Sequence, residues 1–217
     1  VADFVVKSGQ RVVLDLSAFD YNRQQNQFVT DFAERLFRAK SSDRTPIHLM
    51  LDEADSFAPQ KPMPGEQRML GAFEAIVRRG RSRGLGMTLI TQRPAVLNKN
   101  VLTQVEVLII LQTTAPQDRA AIDDWVRGNS SKEERDTVFA SLASLAKGEA
   151  WVWSPAWLGI LQRVQIRPRR TFNSSATPGL GGAPVSPARM ADIDLGALRA
   201  RMSATIEKAR SEDPKAL

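Results

Sequence analysis

The sequence contains no cysteine and only one histidine, His48, among its 217 residues. The absence of thiols excludes disulfides, thiolate metal ligands and cysteine nucleophiles. A single histidine also disfavours a histidine-based zinc site or catalytic triad. No apolar run approaches the roughly 20 residues that a membrane-spanning helix needs. A chain without cysteine and without such a run is compatible with a reducing compartment, and we expect a cytoplasmic protein.

The sequence also lacks the pattern Gly-x-x-x-x-Gly-Lys-Ser/Thr at every position. In nucleotide-binding proteins that loop surrounds the phosphates with backbone N–H groups and supplies a lysine for the β- and γ-phosphates. We therefore expect the isolated chain to bind ATP negligibly.

The overall composition is that of a soluble globular protein, with 42% hydrophobic and 25% charged residues. The length allows one sizeable core with a tail, or two small domains. The formal net charge is +6 and the isoelectric point is about 10.0. An excess of lysine and arginine favours polyanionic partners such as nucleic acid, although a basic surface without such a partner has the same composition.

Apolar runs and helical periodicity alternate along the chain. Strands are predicted at Val12–Leu16, Ile47–Leu51, Met87–Thr91 and Val105–Leu111, helices at Phe28–Phe37, at Met69–Arg79 and from Pro116, and a closing hairpin at Trp151–Trp153 with Gly159–Ile166. The first two strands are almost continuously apolar, which is typical of strands buried on both faces. The alternation predicts an α/β fold in which a mostly parallel sheet is flanked by helices.

Composition divides the chain into three parts. Residues 1–172 carry the strands and helices of a single core. Residues 173–189 are rich in serine, glycine and proline and are predicted to be a flexible linker. Residues 190–217 have apolar side chains at helical spacing, which predicts a C-terminal amphipathic helix.

Trp151 and Trp153 alternate along the predicted hairpin and therefore face the same side of it. Such a pair can stack on the bases of single-stranded nucleic acid. Packing in a core or an interface is favoured, because no basic residue lies between them.

The segment Ile47–Asp55 is an apolar strand followed by acids, Ile-His-Leu-Met-Leu-Asp-Glu-Ala-Asp. Nucleotide hydrolysis needs a carboxylate near the magnesium ion that bridges the terminal phosphates, and a second group that orients the attacking water. In this interpretation Asp52 holds magnesium through a water molecule, and Glu53 polarises the nucleophilic water. The carboxyl ends of strands are where open α/β sheets bind ligands. The alternative is that the acids cap a helix after an ordinary strand.

The letters Asp-Glu-Ala-Asp at residues 52–55 also suggest a DEAD-box RNA helicase. In that family the next strand ends in Ser-Ala-Thr, whereas here it ends in Thr91-Gln92-Arg93-Pro94. The later arginine-rich motif of that family is absent as well, so we reject this relationship.

The stretch Ile47–Ile122 resembles the HerA/FtsK-type ATPases, a branch that also includes conjugation and secretion ATPases. The matching motifs, in order, are Leu51-Asp52-Glu53-Ala54, Phe57-Ala58-Pro59, the glycine- and arginine-rich run Arg78–Gly86, Thr91-Gln92-Arg93-Pro94, Val101-Leu102-Thr103-Gln104, Gln117-Asp118 and Leu145–Ala150. No single motif is specific, but their order and spacing together are, and the resemblance covers roughly residues 10–170.

The resemblance implies a RecA-like fold, ATP and Mg2+ as cofactors, and roles for three further residues. Gln92 would be the polar sensor that contacts the γ-phosphate or the attacking water. Arg78 and Arg81 would lie at a subunit boundary, where one of them reaches the neighbouring subunit's nucleotide as an arginine finger. The alternative for these arginines is a solvated basic patch or a DNA contact.

The resemblance further implies a homo-oligomer, expected to be a hexameric ring, that moves on double-stranded DNA. A nuclease partner is expected too, in DNA-end processing or antiphage defence. In this family the phosphate-binding loop precedes all the motifs above, so we expect it upstream of Val1; a split or degenerate ATPase is the alternative. Two other functions stay open, namely a conjugation or secretion ATPase and a non-catalytic assembly module.

Overall fold

The structure of the protein is a computed structural model that describes residues 1–19, 22–128 and 130–171, together with Gly196, Ala200 and Ser203. The chain divides into two units, Val1–Arg167 and Pro168–Leu217, and the helices and strands given below belong to the first. Apart from those three single positions, the predicted linker 173–189 and helix 190–217 lie outside the described residues. Within the described ranges, no helix combines the length and the apolar character that crossing a membrane would require.

Helices and strands are interspersed along Val1–Arg167. In chain order they are α1 (Ala2–Ser8), α2 (Asn22–Ala39), β1 (Ile47–Leu51), α3 (Ala54–Phe57), α4 (Gln67–Arg79), β2 (Leu85–Leu89), α5 (Lys99–Leu102), β3 (Leu108–Ile110), α6 (Pro116–Arg127), α7 (Lys132–Ser141), β4 (Glu149–Ser154) and β5 (Ile160–Gln165). The α/β class, the three predicted helices and the closing hairpin are confirmed. Proline suits the first position of α6, because the missing N–H has no partner within a helix there.

The strands form two small sheets. β1 and β2 are parallel, with Ile47 opposite Leu85 and Leu51 opposite Leu89. β3, β4 and β5 form a second sheet in which both pairings are antiparallel. The expected mostly parallel sheet is therefore not formed by the described strands. β4 and β5 pair antiparallel because the turn at 155–159 is short, whereas a parallel pair would need a crossover of about a dozen residues or more.

The predicted strand Val12–Leu16 is wrong. Residues 11–16 belong to neither a helix nor a strand, and Val13 is 93% exposed. A strand needs a neighbour for its backbone N–H and C=O groups, and within the described ranges no strand pairs with this segment. An apolar run is thus insufficient for a strand when the pairing edge is missing.

The expectation that β1 is buried on both faces is also wrong. Leu49 and Leu51 pack against the core, whereas Met50 between them is 71% exposed. On the outer face, the Nε2 atom of His48 lies 2.8 Å from the hydroxyl of Thr88 on β2. The alternation arises because successive side chains of a strand point to opposite faces and only one face here meets the core.

The core joins the helices to the inner faces of both sheets. Its most deeply buried apolar side chains include Leu36, Met69, Val101, Val126, Leu142 and Trp153. Trp153 packs edge-on against Trp125 with ring centroids 6.1 Å apart, and the indole N–H of Trp151 donates to Ser141 Oγ at 2.9 Å. Both hairpin tryptophans are therefore buried within the fold, as the sequence favoured, and are not exposed for base stacking.

A carboxylate with two arginine partners joins α6 to α7. Asp123 is 7% exposed, and it accepts hydrogen bonds from Arg135 and Arg127, including a 3.0 Å bond from Arg135 Nη2 to Oδ2. The hydrogen bond from Arg135 is the main reason that the pKa of Asp123 lies below its usual range, and Arg127 lowers it further.

We expect this pairing to make the stability of the protein depend on acid pH. Because the pKa of Asp123 is lowered by folding, its contribution is fully present above the unfolded-state pKa of about 3.9 and is lost as pH falls through the folded-state value. Urea titrations give the free energy of unfolding of the wild type and of Asp123→Asn. The difference between the two should be smaller at pH 3 than at pH 6. Asp124→Asn, which removes an exposed partner of Lys99, should show a much smaller difference at pH 6.

Candidate functional site

The carboxyl ends of β1 and β2 lie next to each other, and the backbone ladder continues past both strands. Ile90 donates to the carbonyl of Leu51 at 2.9 Å, and Ala54 donates to the carbonyl of Ile90 at 2.9 Å. These bonds place the segments 52–54 and 90–92 at the same edge of the sheet. Asp52, Glu53 and Gln92, whose expected roles concern one nucleotide, therefore lie at the same end of the two strands.

Glu53 and Gln92 contact each other across this edge. The Nε2 atom of Gln92 donates to Oε1 of Glu53 at 3.4 Å, and both side chains are exposed. The bond is long for a hydrogen bond and open to solvent. A water molecule or a phosphate oxygen can therefore take its place without disturbing the core.

Glu53 has an unusual backbone conformation, with φ 50° and ψ 46°. Residues with a Cβ rarely adopt this left-handed conformation, which costs about 1–2 kcal/mol. The turn redirects the chain within the two residues that separate β1 from α3, and it is supported by Asp52, whose Oδ1 accepts from the Glu53 N–H at 3.0 Å. The carboxylates of Asp52 and Glu53 consequently remain at the open end of the strand.

A second pair of side chains lies directly behind this edge. Asp55 on α3 is 8% exposed and accepts a 2.6 Å hydrogen bond from the Thr91 hydroxyl. The same hydroxyl accepts from the Arg93 N–H at 2.9 Å. The sequence motifs contain both residues but indicate no role for either. The available signal was their position, three residues after Asp52 and one before Gln92.

The loop that follows Gln92 is held from another direction by Asp118. This residue lies in the first turn of α6, is 8% exposed and accepts from the Ala95 N–H at 3.0 Å. The motif Gln117-Asp118 belongs to the family resemblance, which implies no role for either residue. The structure shows that its aspartate fixes the backbone just beyond the site.

Arg78 and Arg81 are not brought together with Asp52, Glu53 and Gln92. They lie at the end of α4 and just after it, beside the amino end of β2, whereas the acids follow the carboxyl end of the parallel strand β1. The length of the strands separates these two ends by about 13 Å at 3.3 Å per residue. Arg81 is 93% exposed at its side chain and pairs with Glu106 at 3.6 Å.

One arginine of the same run has a structural role that the sequence did not reveal. Arg83 donates to the carbonyl of Phe37 at 2.6 Å, and its guanidinium lies 3.9 Å from the centroid of the Phe37 ring. It fixes the end of α4 against α2, so it is distinct from the exposed Arg78 and Arg81.

The donor set suits a magnesium ion that arrives with a nucleotide. Within the described residues, no group of three or more His, Cys, Asp or Glu side chains could hold a metal ion by itself. Mg2+ usually keeps several waters and takes only one or two carboxylates when phosphates supply further ligands. Asp52 is exposed next to Glu53, so its carboxylate is available to a magnesium ion of this kind.

The fold resembles that of a solved NTPase. The genome packaging NTPase B204 from Sulfolobus turreted icosahedral virus 2, in complex with sulfate, matches with a TM-score of 0.56 and 20% identity, over 77% of this chain and 72% of that one. The same protein in complex with ATP-γS matches with a TM-score of 0.52 and 20% identity, over the same shares of the two chains. At this identity the likeness shows a shared α/β fold.

The chain belongs to the helicase HerA-like C-terminal family, whose model matches residues 28–171. It is 36% identical to the DNA double-strand break repair helicase HerA of Pyrococcus furiosus over 105 residues, which are 48% of this chain and 18% of that protein. The corresponding helicase of Saccharolobus solfataricus is 30% identical over 155 residues, 67% of this chain and 29% of the relative. The chain thus spans less than a third of either relative.

Proposed function

We propose that this chain provides the hydrolytic residues of an ATP-driven DNA translocase of the HerA type. The observation that supports the proposal is the position of Glu53 and Gln92, 3.4 Å apart at the ends of two adjacent parallel strands. This is the arrangement expected if one strand supplies the group that polarises water and its neighbour supplies a polar sensor.

In this proposal Asp52 binds the magnesium ion of the nucleotide through a water molecule. Glu53 orients and polarises the attacking water, and Gln92 contacts that water or the γ-phosphate, for which an amide is suited because it both donates and accepts. The magnesium ion, when bound, neutralises charge on the terminal phosphates. The incoming water would replace the 3.4 Å contact between Gln92 and Glu53. Both side chains could then contact the water or the γ-phosphate.

The phosphate cradle is proposed to come from a segment outside residues 1–217, because the sequence holds no phosphate-binding loop. The outward faces of the sheets favour such a neighbour. Met50 is 71% exposed on β1, and Ile109 is 53% exposed between the core residues Leu108 and Ile110 of β3. Uncovered apolar side chains on a sheet face are a surface on which another segment can pack.

The positions of Arg78 and Arg81 support assembly from several subunits. An arginine at the opposite end of the strands cannot reach a nucleotide beside Glu53 in the same chain, but it is exposed and can reach one on a neighbour. We therefore propose that one of these two arginines acts as a finger within a ring. The hexameric state and a nuclease partner are parts of the same proposal and rest on the family resemblance.

The proposed substrate is double-stranded DNA. The relatives are named DNA double-strand break repair helicases, and the structural neighbour is named a genome packaging NTPase. The basic balance of the chain, +6, suits a polyanionic partner. These observations favour DNA over a secreted protein as the molecule that is moved.

We expect a form of the protein that supplies a phosphate-binding loop to hydrolyse ATP with Mg2+, and double-stranded DNA to stimulate that hydrolysis. Titration calorimetry of the isolated chain with ATP and Mg2+ should show no saturable binding in the micromolar range, because no cradle for the phosphates is present. Micromolar binding by the isolated chain would contradict the need for an external loop. A longer form that binds DNA but lacks hydrolysis would indicate the non-catalytic assembly module instead.

A further inference from the structure

We propose that Asp55 and Thr91 are positioning residues that hold Gln92 beside Glu53. This inference rests on the proposed function, since it concerns the geometry of the same site. Neither side chain contacts nucleotide or water in the mechanism above. The Thr91 hydroxyl instead links the two strand ends.

Thr91 connects to both sides of the site through one oxygen atom. Its hydroxyl donates to Asp55 Oδ1 at 2.6 Å and accepts from the Arg93 N–H at 2.9 Å. A hydroxyl can do both at once because it carries one proton and two lone pairs. The second bond spans the residues on either side of Gln92, so it fixes the backbone from which the sensor side chain projects.

Asp55 carries the link to the segment that holds Glu53. It lies in the first turn of α3, two residues after Glu53, where the left-handed turn has just redirected the chain. A hydrogen bond to a carboxylate is shorter and stronger than one between neutral groups. With Asp55 only 8% exposed, water competes little for the bond, and the two segments are held in one register.

The link is reinforced on the far side of the loop. The Asp118 carboxylate accepts at 3.0 Å from the N–H of Ala95, which lies in the short helical turn Pro94–Val96. Gln92 therefore projects from a loop that is attached before and after it. Its side chain, by contrast, makes a long, exposed contact with Glu53 and no other hydrogen bond to the described residues. The backbone is fixed while the functional group stays available.

The test compares substitutions of nearly equal size at two threonines of the β1–β2 region. Thr91→Val removes the hydroxyl and keeps the shape, and Thr91→Ser restores it. Thr88→Val is the matched control, since Thr88 bonds His48 on the outer face and lies outside the proposed site. All three are measured in the ATP-hydrolysing form for kcat and KM, and as the 217-residue chain for amide hydrogen exchange and urea stability.

For Thr91→Val we expect kcat to fall by about 10- to 100-fold with KM for ATP changed by less than about threefold, because a small displacement of a catalytic group lowers the rate more than binding. Exchange of the Arg93 amide should accelerate by about 10-fold or more as its acceptor is lost. Thr91→Ser and Thr88→Val should keep kcat and Arg93 exchange close to the wild type.

An unchanged kcat and unchanged Arg93 exchange in Thr91→Val would overturn the inference, as would an equal loss of kcat in Thr88→Val. If Thr91→Val fails to fold, Asp55→Asn takes its place, because it keeps the shape and removes the charge. A lower kcat at unchanged KM then supports the link, and a wild-type kcat overturns it. If the wild type itself hydrolyses no ATP, the proposed function fails, while the exchange measurement still decides whether the link exists.

Discussion

Replacing Glu53 by glutamine is expected to lower ATP turnover by about 100-fold or more while nucleotide binding is retained. Glutamine preserves the size of the side chain and can still contact Gln92, so the change isolates the loss of the carboxylate charge. In the proposed mechanism, the attacking water would then no longer be polarised. Steady-state phosphate release, together with equilibrium binding of a fluorescent ATP analogue, would separate turnover from affinity in a form that carries a phosphate-binding loop.

The control for this prediction is Glu133→Gln. Glu133 is an exposed acid in the first turn of α7 and has no part in the proposed site, so turnover should stay within about twofold of the wild type. If Glu53→Gln turned over ATP at the rate of this control, Glu53 would not be the group that activates water. The assignment of Asp52 and Gln92 would then need a different partner.

The largest expected effect on stability comes from Trp153→Ala. Trp153 is 1% exposed and packs edge-on against Trp125 at 6.1 Å, so truncation removes a large buried surface and leaves a cavity in the core. Substitutions of this kind cost about 3–5 kcal/mol in free energy of unfolding. Since small domains are stable by only about 5–15 kcal/mol, the variant should be close to unfolding at room temperature. Urea titration followed by circular dichroism gives the difference.

Trp157→Ala is the matched control for that change. Trp157 lies in the turn between β4 and β5 and is 66% exposed, so its removal should alter the free energy of unfolding by less than about 0.5 kcal/mol. Equal losses in the two variants would mean that Trp153 is not buried and Trp157 is not exposed as described. A small loss in Trp153→Ala alone would show that the cavity is refilled by neighbouring side chains.

The meeting of Glu53 and Gln92 could be anticipated from the sequence because it depends on a general property of sheets. Two neighbouring parallel strands end at the same edge, so polar residues that follow each strand come together. The hydrogen bond from Thr91 to Asp55 could not be anticipated in this way. Its partners are 36 positions apart, and the bond depends on the path of two short loops after the strands end.

The failures of the sequence interpretation have a related cause. Val12–Leu16 has the composition of a buried strand, but a strand also needs an edge to pair with, and composition carries no information about that edge. Likewise, the run Arg78–Arg83 contains four arginines that the sequence does not distinguish from one another. Only the structure separates Arg83, which stacks on Phe37, from the exposed Arg78 and Arg81.

The amino-acid sequence by itself determined the α/β class, the order of the main helices and strands, and the acidic end of β1, because these follow from local periodicity and from side chains adjacent in the chain. The tertiary structure alone decided that Asp55 and Asp118 hold the loop around Gln92, and that Arg78 and Arg81 lie at the opposite end of the sheet from Glu53. Such relations depend on how distant segments fold back on each other, so no local pattern encodes them.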